Sequence, residues 1–258
     1  MPFTGSHPAA VLPFLRTPLP ASALVIGSMA PDLPFYLPLP QWYPTHTWLA
    51  GVTTDLLLGL LAWALWHGLL AEPASATAPA ALRGRLAGGV APGLAVRIAS
   101  VRQVVLLVVA LVLGTATHLA WDAFTHARRW GAEHLSVLAE SWGPLPGYRW
   151  LQYASSVVGL AVLLVWFVRW WRRTPAVPTR AEPAARWVWP LLAVLAVGAG
   201  TVAGLAAGSL DDAVFPAAQW AGGTVLLIAV LLAIGWHLTR RRSSSLTARV
   251  PGSRQDMS

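Results

Sequence analysis

The densest group of polar side chains in the sequence lies in the segment from Thr117 to His126. If this segment is an α-helix, His118, Asp122 and His126 are spaced four residues apart and lie along one face, each one turn beyond the last. Imidazole nitrogens and carboxylate oxygens are ligands that a metal ion of borderline hardness prefers. The spacing therefore predicts a metal site at a helix end. A helix cap or a bond to a neighbouring carbonyl is the simpler explanation of each residue taken alone.

Three residues earlier in the chain offer the same ligand types: His7 beside Pro8, Asp32 after Pro31, and His46 between two threonines. An isolated histidine or aspartate is weak evidence for a metal site. The six residues become strong evidence only if the fold brings them to the same place, which depends on the elements that carry them.

Those elements are predicted to be membrane helices. The 258 residues are 56% hydrophobic and 11% charged, against roughly 25% charged in an ordinary soluble domain. So few charged side chains exclude a disordered chain and make a soluble globular protein improbable. The absence of cysteine excludes disulfide scaffolds, thiolate metal sites and cysteine nucleophiles.

Five stretches are long and apolar enough to cross a bilayer, which takes about 20 helical residues. They are approximately Trp48–Leu70, Gln103–Phe124, Leu151–Trp171, Trp187–Gly208 and Trp220–Leu238. The first 47 residues are rich in proline, and their two apolar pieces are too short to span, so we expect a re-entrant or interfacial helical segment there. The predicted fold is an all-α integral membrane helical bundle of about five transmembrane helices plus this segment.

The domain organisation follows from the same pattern. We predict a membrane domain with the metal site over residues 1–174, two further transmembrane helices over 175–242, and a disordered cytosolic tail over 243–258. The stretch 71–94, which is rich in alanine, proline and glycine, is expected to be a mobile linker.

The basic residues predict the orientation. All 18 are arginines, and they are concentrated in alternate connections, at 71–102, 172–186 and 240–254. Because arginine-rich loops stay in the cytosol, we predict a multi-pass protein of the cell membrane with the N-terminus outside and the C-terminus cytoplasmic. Arginines that directly follow a span contact lipid headgroups, so the expected partners are membrane lipids and not nucleic acid.

This orientation brings the predicted ligands to one membrane face. The second span ends outside with the His118–His126 segment, the first span begins outside near His46, and the N-terminal segment with His7 and Asp32 lies on the same side. Asp55 lies about 13 Å along the helix from His46. Three roles are open for Asp55: a metal ligand deeper in the membrane, a carboxylate that orients a metal-binding histidine, or a buried acid paired with another group.

The sequence also resembles an uncharacterised family of bacterial membrane proteins, domain of unknown function 4184 (DUF4184). The phrases that carry the resemblance are Met1–Ala9, Gly27–Asp32, Thr45–Thr47, Thr117–His126 and Leu151–Ser156. More distantly, the same phrases are similar to membrane-bound proteins described as metal-dependent hydrolases, a group that resembles zinc-dependent phospholipases of helical fold.

The wider resemblance implies a particular set of metal ligands: His7, Asp32, His46, His118 and Asp122. His126 and Asp55 match the nearer family only. We expect one or two divalent ions, with zinc favoured, because the nitrogen-rich set disfavours magnesium and calcium.

The expected activity is metal-assisted hydrolysis of a lipid or lipid-linked ester or phosphoester at the outer membrane face. The ion would lower the pKa of water toward about 7, and Asp32 or Asp55 would accept the proton. Arg128 and Arg129 are placed to hold a phosphate. The alternative is a non-enzymatic membrane scaffold or transporter subunit with a structural metal. Transport is the weaker of these two, because the last two spans are almost bare of ionisable groups.

Overall fold

The computed structural model describes residues 3–37, 44–87, 93–180 and 182–247. Within them the chain is helical apart from one two-stranded β-hairpin, which confirms the predicted all-α class. Five helical segments are long and apolar enough to cross a membrane, so the chain has the make-up of a multi-pass membrane protein. These segments are Trp48–Thr77, Val101–His134, Gly147–Arg173, Ala185–Leu205 and Asp212–Arg240.

The N-terminal part consists of short helices, as predicted. A 3₁₀ helix, Thr4–Arg16, is followed by α1, Ala21–Met29, and by a second 3₁₀ helix, Ala30–Tyr36. Pro8 and Pro13 lie inside the first 3₁₀ helix, where each removes a backbone donor that a regular α-helix needs.

The remaining elements follow in chain order. The first span contains α2 (Trp48–Gly51), α3 (Thr54–Leu65), a π-helical turn (Trp66–Leu70) and α4 (Ala71–Thr77). After it come α5 (Ala80–Leu86), α6 (Leu94–Arg97), α7 (Val101–Thr125), α8 (Trp130–His134) and α9 (Ser136–Ala139). The hairpin pairs β1 (Ser141–Trp142) with β2 (Leu145–Pro146). The last helices are α10 (Gly147–Arg173), α11 (Ala185–Leu205) and α12 (Leu210–Thr247).

Two predictions about flexible regions meet different outcomes. The prediction of a mobile linker over 71–94 is wrong where the chain forms α4 and α5, two helices that contain alanine, a strong helix former. Residues 88–92 of that stretch lie outside the described residues. The start of the predicted disordered tail belongs to α12 as far as Thr247, and residues 248–258 lie outside the described residues.

The chain divides into two compact units. The first comprises Met1–Gly68 and Gly84–Thr179, and the second comprises Leu69–Arg83 and Arg180–Ser258. The second unit is built on the packing of α11 against α12. The first unit contains every predicted metal ligand, and its apolar core combines the N-terminal helices with α3 and α7. The buried residues of that core are Val11, Ala23, Leu24, Trp63, Leu107, Ala110 and Leu111.

The contact between α1 and α7 depends on two glycines. A Cβ atom on Gly27 would lie 2.3 Å from the carbonyl oxygen of Leu111, and one on Gly114 would lie 2.4 Å from the carbonyl oxygen of Leu24. Larger residues would force the two backbones apart. The close packing lets Thr115 Oγ1 donate a hydrogen bond to the Gly27 carbonyl over 3.1 Å, and so fixes α1 beside the C-terminal half of α7.

The N-terminal helices connect the two ends of the first unit. Ser22, at the start of α1, contacts His67 just beyond α3. Ser28, at the end of α1, contacts His118 near the C-terminal end of α7. The N-terminal segment therefore reaches into the bundle and returns, which brings both His7 and Asp32 to His118 of α7.

Candidate metal centre

Three imidazoles and two carboxylates meet where the N-terminal segment packs on the end of α7. His46 Nε2 lies 3.0 Å from Asp32 Oδ1, and His118 Nε2 lies 3.6 Å from that oxygen and 3.3 Å from Asp122 Oδ2. His7 Nε2 lies 3.9 Å from Asp122 Oδ1. Residues separated by more than a hundred positions thus converge in one cluster.

Two overlapping triads have ligand atoms close enough to hold a metal ion. They are His7–Asp32–His118 and His46–His118–Asp122, and within each triad the ligand atoms all lie within 4.8 Å of one another. His118 belongs to both. All five residues of the two triads are buried, and the side chain of His118 has no exposed surface.

The orientation of His118 is set by a backbone group of α1. His118 Nδ1 lies 2.9 Å from the carbonyl oxygen of Ser28. Since a carbonyl only accepts, Nδ1 carries a proton, and Nε2 is the nitrogen that faces the two aspartates and is placed to bind a metal ion. A fixed second nitrogen of this kind is typical of histidines that bind metals.

Asp32 is held as a carboxylate by neutral donors and by histidine. Thr4 Oγ1 donates a hydrogen bond to Asp32 Oδ2 over 2.6 Å, and Tyr36 donates one to Thr4 Oγ1 over 2.9 Å. Burial acts to raise the pKa of Asp32, but the hydrogen bonds from His46 and Thr4 and the charge of His118 bring that pKa below its ordinary value. The charged form, which is the metal-binding form, is therefore favoured.

His7 is held as a neutral ring. It stacks on His118 with ring centroids 3.9 Å apart. Burial, followed by the positive charge of His118, lowers the pKa of His7 to about 4. At neutral pH the ring offers an unprotonated nitrogen, and metal binding at His7 costs no proton release.

Several buried polar atoms of this cluster have no hydrogen-bond partner among the residues that the structure describes. They are His7 Nε2, His118 Nε2, Asp122 Oδ1 and His126 Nε2. Buried polar atoms are rarely left unpaired, because the loss of hydration costs about 1–3 kcal/mol each. A cation at this position would satisfy the atoms that face it, so the residues present fit a metal ion.

The comparisons with known proteins give a family and no activity. The sequence profile of the family described as a domain of unknown function, DUF4184, matches residues 1–234. The chain belongs to this family. No curated protein and no solved structure matches the chain.

The remaining predicted site residues of this DUF4184 protein lie at the edge of the cluster. His126 Nδ1 lies 3.5 Å from Asp122 Oδ1 and 3.3 Å from the Asp122 carbonyl oxygen, and its side chain is 22% exposed. Asp55, at the start of α3, has no exposed surface, and neither of its carboxylate oxygens has a hydrogen-bond partner among the described residues. It lies close enough to His46, His118 and Asp32 for their charges to act on it. Asp55 belongs to neither of the two triads.

The sequence analysis missed three residues that support the DUF4184 site, Thr4, Ser28 and Tyr36, and gave a fourth, Arg129, a different role. Thr4 and Tyr36 hold Asp32, Ser28 holds His118, and Arg129 holds the backbone of His46. Thr4 and Ser28 lie inside the phrases that carry the family resemblance, which was the available signal for them. Arg129 was expected to hold a phosphate, but its Nη1 is bonded to a carbonyl oxygen.

Proposed function

We propose that the protein is a metal-dependent hydrolase of the membrane surface. Its metal would be held by His7, Asp32, His46, His118 and Asp122, with His126 at the open edge. The observation that carries the proposal is the convergence of unpaired imidazole nitrogens with two carboxylates inside a buried pocket. A purely structural polar cluster would pair those atoms with one another or with backbone groups.

Zinc is the ion that this donor set favours. Three imidazole nitrogens are borderline donors that suit zinc, and zinc also accepts carboxylate oxygens, whereas magnesium and calcium prefer sites made only of oxygen ligands. Five groups exceed the four ligands of one tetrahedral zinc ion. We therefore propose that either a second ion is bound or one carboxylate only orients a histidine.

The metal would make water acidic enough to supply hydroxide near neutral pH. The protein's own residues would then handle the proton. Asp55 is the better proton acceptor, since both of its oxygens are buried and unpaired. Asp32, the other expected catalytic carboxylate, is already engaged by Thr4 and His46.

The substrate class follows from where the site would lie. With the arginine-rich connections in the cytosol, the His118–His126 end of the second span faces outward. A site at that depth is reached from the lipid headgroup layer. We propose a lipid or lipid-linked ester or phosphoester as substrate, with the N-terminus outside and the C-terminus in the cytosol.

Elemental analysis of detergent-purified protein tests the metal site. We expect one or two zinc ions per chain in the wild type and almost none in His118→Ala. His134→Ala is the matched control, because His134 is exposed and stacks on Trp130 outside the cluster. Folded wild-type protein that neither contains nor takes up zinc, manganese or iron would contradict the proposal.

The near-complete burial of the ligands favours a second candidate, a scaffold with a structural metal. A panel of phospholipids and lipid-linked phosphates separates the two. Hydrolysis that is lost when the metal is removed by a chelator, and restored when zinc is added, supports the proposal of a hydrolase. A metal-loaded protein that cleaves none of them, and whose thermal stability falls on chelation, supports the scaffold.

A further inference from the structure

A second polar cluster lies at the other end of α1, away from the metal centre. Ser22, in the first turn of α1, lies with its Oγ 2.8 Å from His67 Nε2, and Trp63 Nε1 donates a hydrogen bond to the same Oγ over 3.1 Å. None of these residues contacts a predicted metal ligand. Twelve residues separate His67 from Asp55, which is about 18 Å along a helix.

The hydrogen bonds give the serine hydroxyl a direction. The Trp63 indole is a donor only, so Ser22 Oγ must accept from it. The hydroxyl proton of Ser22 is then free to point to Nε2, the nitrogen of the His67 ring that Ser22 contacts. A serine hydroxyl that donates to an imidazole nitrogen is the arrangement in which histidine acts as a general base on a nucleophile.

The local backbone holds His67 in place for this contact. His67 lies in the π-helical turn Trp66–Leu70, which interrupts the helix after α3, and such turns are frequently found at functional sites. Its ring meets the ring of Trp63 edge-on, with centroids 4.8 Å apart. Both Ser22 and His67 are half-buried, so a reagent can reach them.

A cation lies near the pair. Arg97, at the end of α6, lies close enough for its charge to act on His67. Its Nε is buried and has no hydrogen-bond partner among the described residues, so it is able to donate to an anionic group that binds nearby.

We propose that Ser22 and His67 form a nucleophile–base pair that carries out acyl transfer from a fatty acyl ester. Ser22 Oγ would bond to the ester carbonyl carbon while its proton passes to His67 Nε2. The bond between the carbonyl carbon and the alkoxy oxygen of the ester then breaks, and His67 returns the proton to the leaving alcohol. Water, deprotonated by His67, releases the fatty acid from Ser22 and restores the hydroxyl.

The surroundings of the pair select an apolar acyl chain. Trp63 belongs to the buried core of the first unit, and Leu19, Leu60 and Leu94 pack against that core as partly buried residues. A fatty acyl chain gains about 0.8 kcal/mol for each CH₂ that it buries in such surroundings. A polar substrate would gain nothing comparable.

An alkyl fluorophosphonate tests the pair on the full-length protein in detergent. Ser22 Oγ would bond to phosphorus, fluoride would leave, and the proton would pass to His67. We expect mass spectrometry to find the adduct on Ser22 and Ser22→Ala to lose it. Ser155→Ala is the matched control: the Ser155 hydroxyl is also half-buried and donates to a backbone carbonyl of its own helix, at Gln152, so labelling at Ser22 should be unchanged.

His67→Gln separates catalysis from a structural contact. Glutamine can keep a hydrogen bond to Ser22 but cannot act as a base near neutral pH, so labelling should slow by about 100-fold or more at unchanged thermal stability. Labelling should also persist after chelation, which makes it independent of the metal centre. A folded wild type labelled no faster than Ser22→Ala, or a His67→Gln variant labelled at the wild-type rate, would overturn the proposal.

Discussion

The guanidinium of Arg129 donates a hydrogen bond from Nη1 to the backbone carbonyl oxygen of His46, over 2.8 Å and 83 residues of sequence. His46 has a φ of 60°, and Arg128, next to the donor, has a φ of 56°. For residues other than glycine this left-handed conformation costs of the order of 1 kcal/mol or more, and it persists only where the surroundings enforce it. Arg129 thus holds the strained turn that directs the ring of His46 to Asp32.

Replacing Arg129 should loosen His46 and weaken the metal site. We expect Arg129→Ala to lower zinc affinity by about 10–100-fold, the usual cost of losing a group that orients a ligand. Arg129→Lys should retain part of the zinc affinity that Arg129→Ala loses, since lysine can still donate a hydrogen bond to the His46 carbonyl. Competition with a chromophoric chelator measures the affinity.

Arg128→Gly is the control for that experiment, because glycine adopts the left-handed conformation without strain. It should leave zinc affinity unchanged. Equal losses in Arg129→Ala and Arg128→Gly would show that general loosening of the loop, and not the contact with His46, is responsible.

The glycine contact between α1 and α7 should be intolerant of a single methyl group. In Gly27→Ala the new Cβ would lie 2.3 Å from the Leu111 carbonyl oxygen. Because that neighbour is backbone, α1 must move and carry the Ser28 carbonyl away from His118. We expect a loss of about 1–3 kcal/mol in the free energy of unfolding and a lower metal content.

Gly198→Ala is the matched substitution in a transmembrane helix, α11, where an added Cβ meets nothing within 4 Å. It should be neutral or stabilising by up to about 1 kcal/mol. Thermal unfolding in detergent, followed by circular dichroism, compares the two variants. Equal behaviour of Gly27→Ala and Gly198→Ala would refute the role given to close packing.

The sequence was informative where spacing alone defines geometry. The four-residue interval between His118 and Asp122 required a helix, and the structure supplies one through Thr125. Hydrophobic length alone predicted the five spanning segments. Both are local properties, since they depend on residues within a few turns of one helix.

The contacts that hold the metal ligands in place could not be predicted from spacing or from hydrophobic length. The Ser28 carbonyl has no side-chain signature, and its contact with His118 exists only because two glycines let α1 and α7 touch. The bond from Arg129 to His46 likewise depends on a turn conformation that no propensity predicts for histidine. Contacts of this kind depend on tertiary packing, which a single sequence does not encode locally.

The hydrogen bond from Thr4 to Asp32 should tune the metal site. Thr4→Val removes the donor to Asp32 Oδ2 at nearly constant volume, and we expect zinc affinity to fall by about 10–100-fold. Tyr36→Phe removes only the outer bond to Thr4, so its effect should be smaller. Isothermal titration calorimetry measures the zinc affinity of both variants. A larger loss of affinity in Tyr36→Phe than in Thr4→Val would contradict this prediction.

The predicted orientation can be checked because the chain has no cysteine of its own. Glu140→Cys places a thiol in the connection after the second span, and Arg180→Cys places one in the connection after the third. A membrane-impermeant maleimide applied to intact cells should label position 140 alone. Lysed cells, where both positions should react, are the control, and labelling of position 180 alone would reverse the orientation.

The low pKa of His7 predicts how the stability of the metal-free protein depends on pH. Burial, followed by the charge of His118, lowers this pKa from 6.5 to about 4. Between pH 6.5 and pH 4 the unfolded chain therefore binds a proton that the folded chain does not. The free energy of unfolding should fall as the pH drops through this window, by up to about 3 kcal/mol, and His7 should contribute no further change below pH 4.

Replacing His7 removes that proton uptake. In His7→Asn the free energy of unfolding should change less with pH between 6.5 and 4 than it does in the wild type, whereas exposed His134→Asn should follow the wild type. The lowered pKa of Asp32 acts in the same direction, but only below the ordinary aspartate value of 3.8. Unfolding curves collected above pH 4.5 therefore exclude the contribution of Asp32, and the difference between the wild type and His7→Asn measures that of His7. Wild-type and His7→Asn curves that stay parallel across the window would show that His7 binds its proton equally in the folded and unfolded chain.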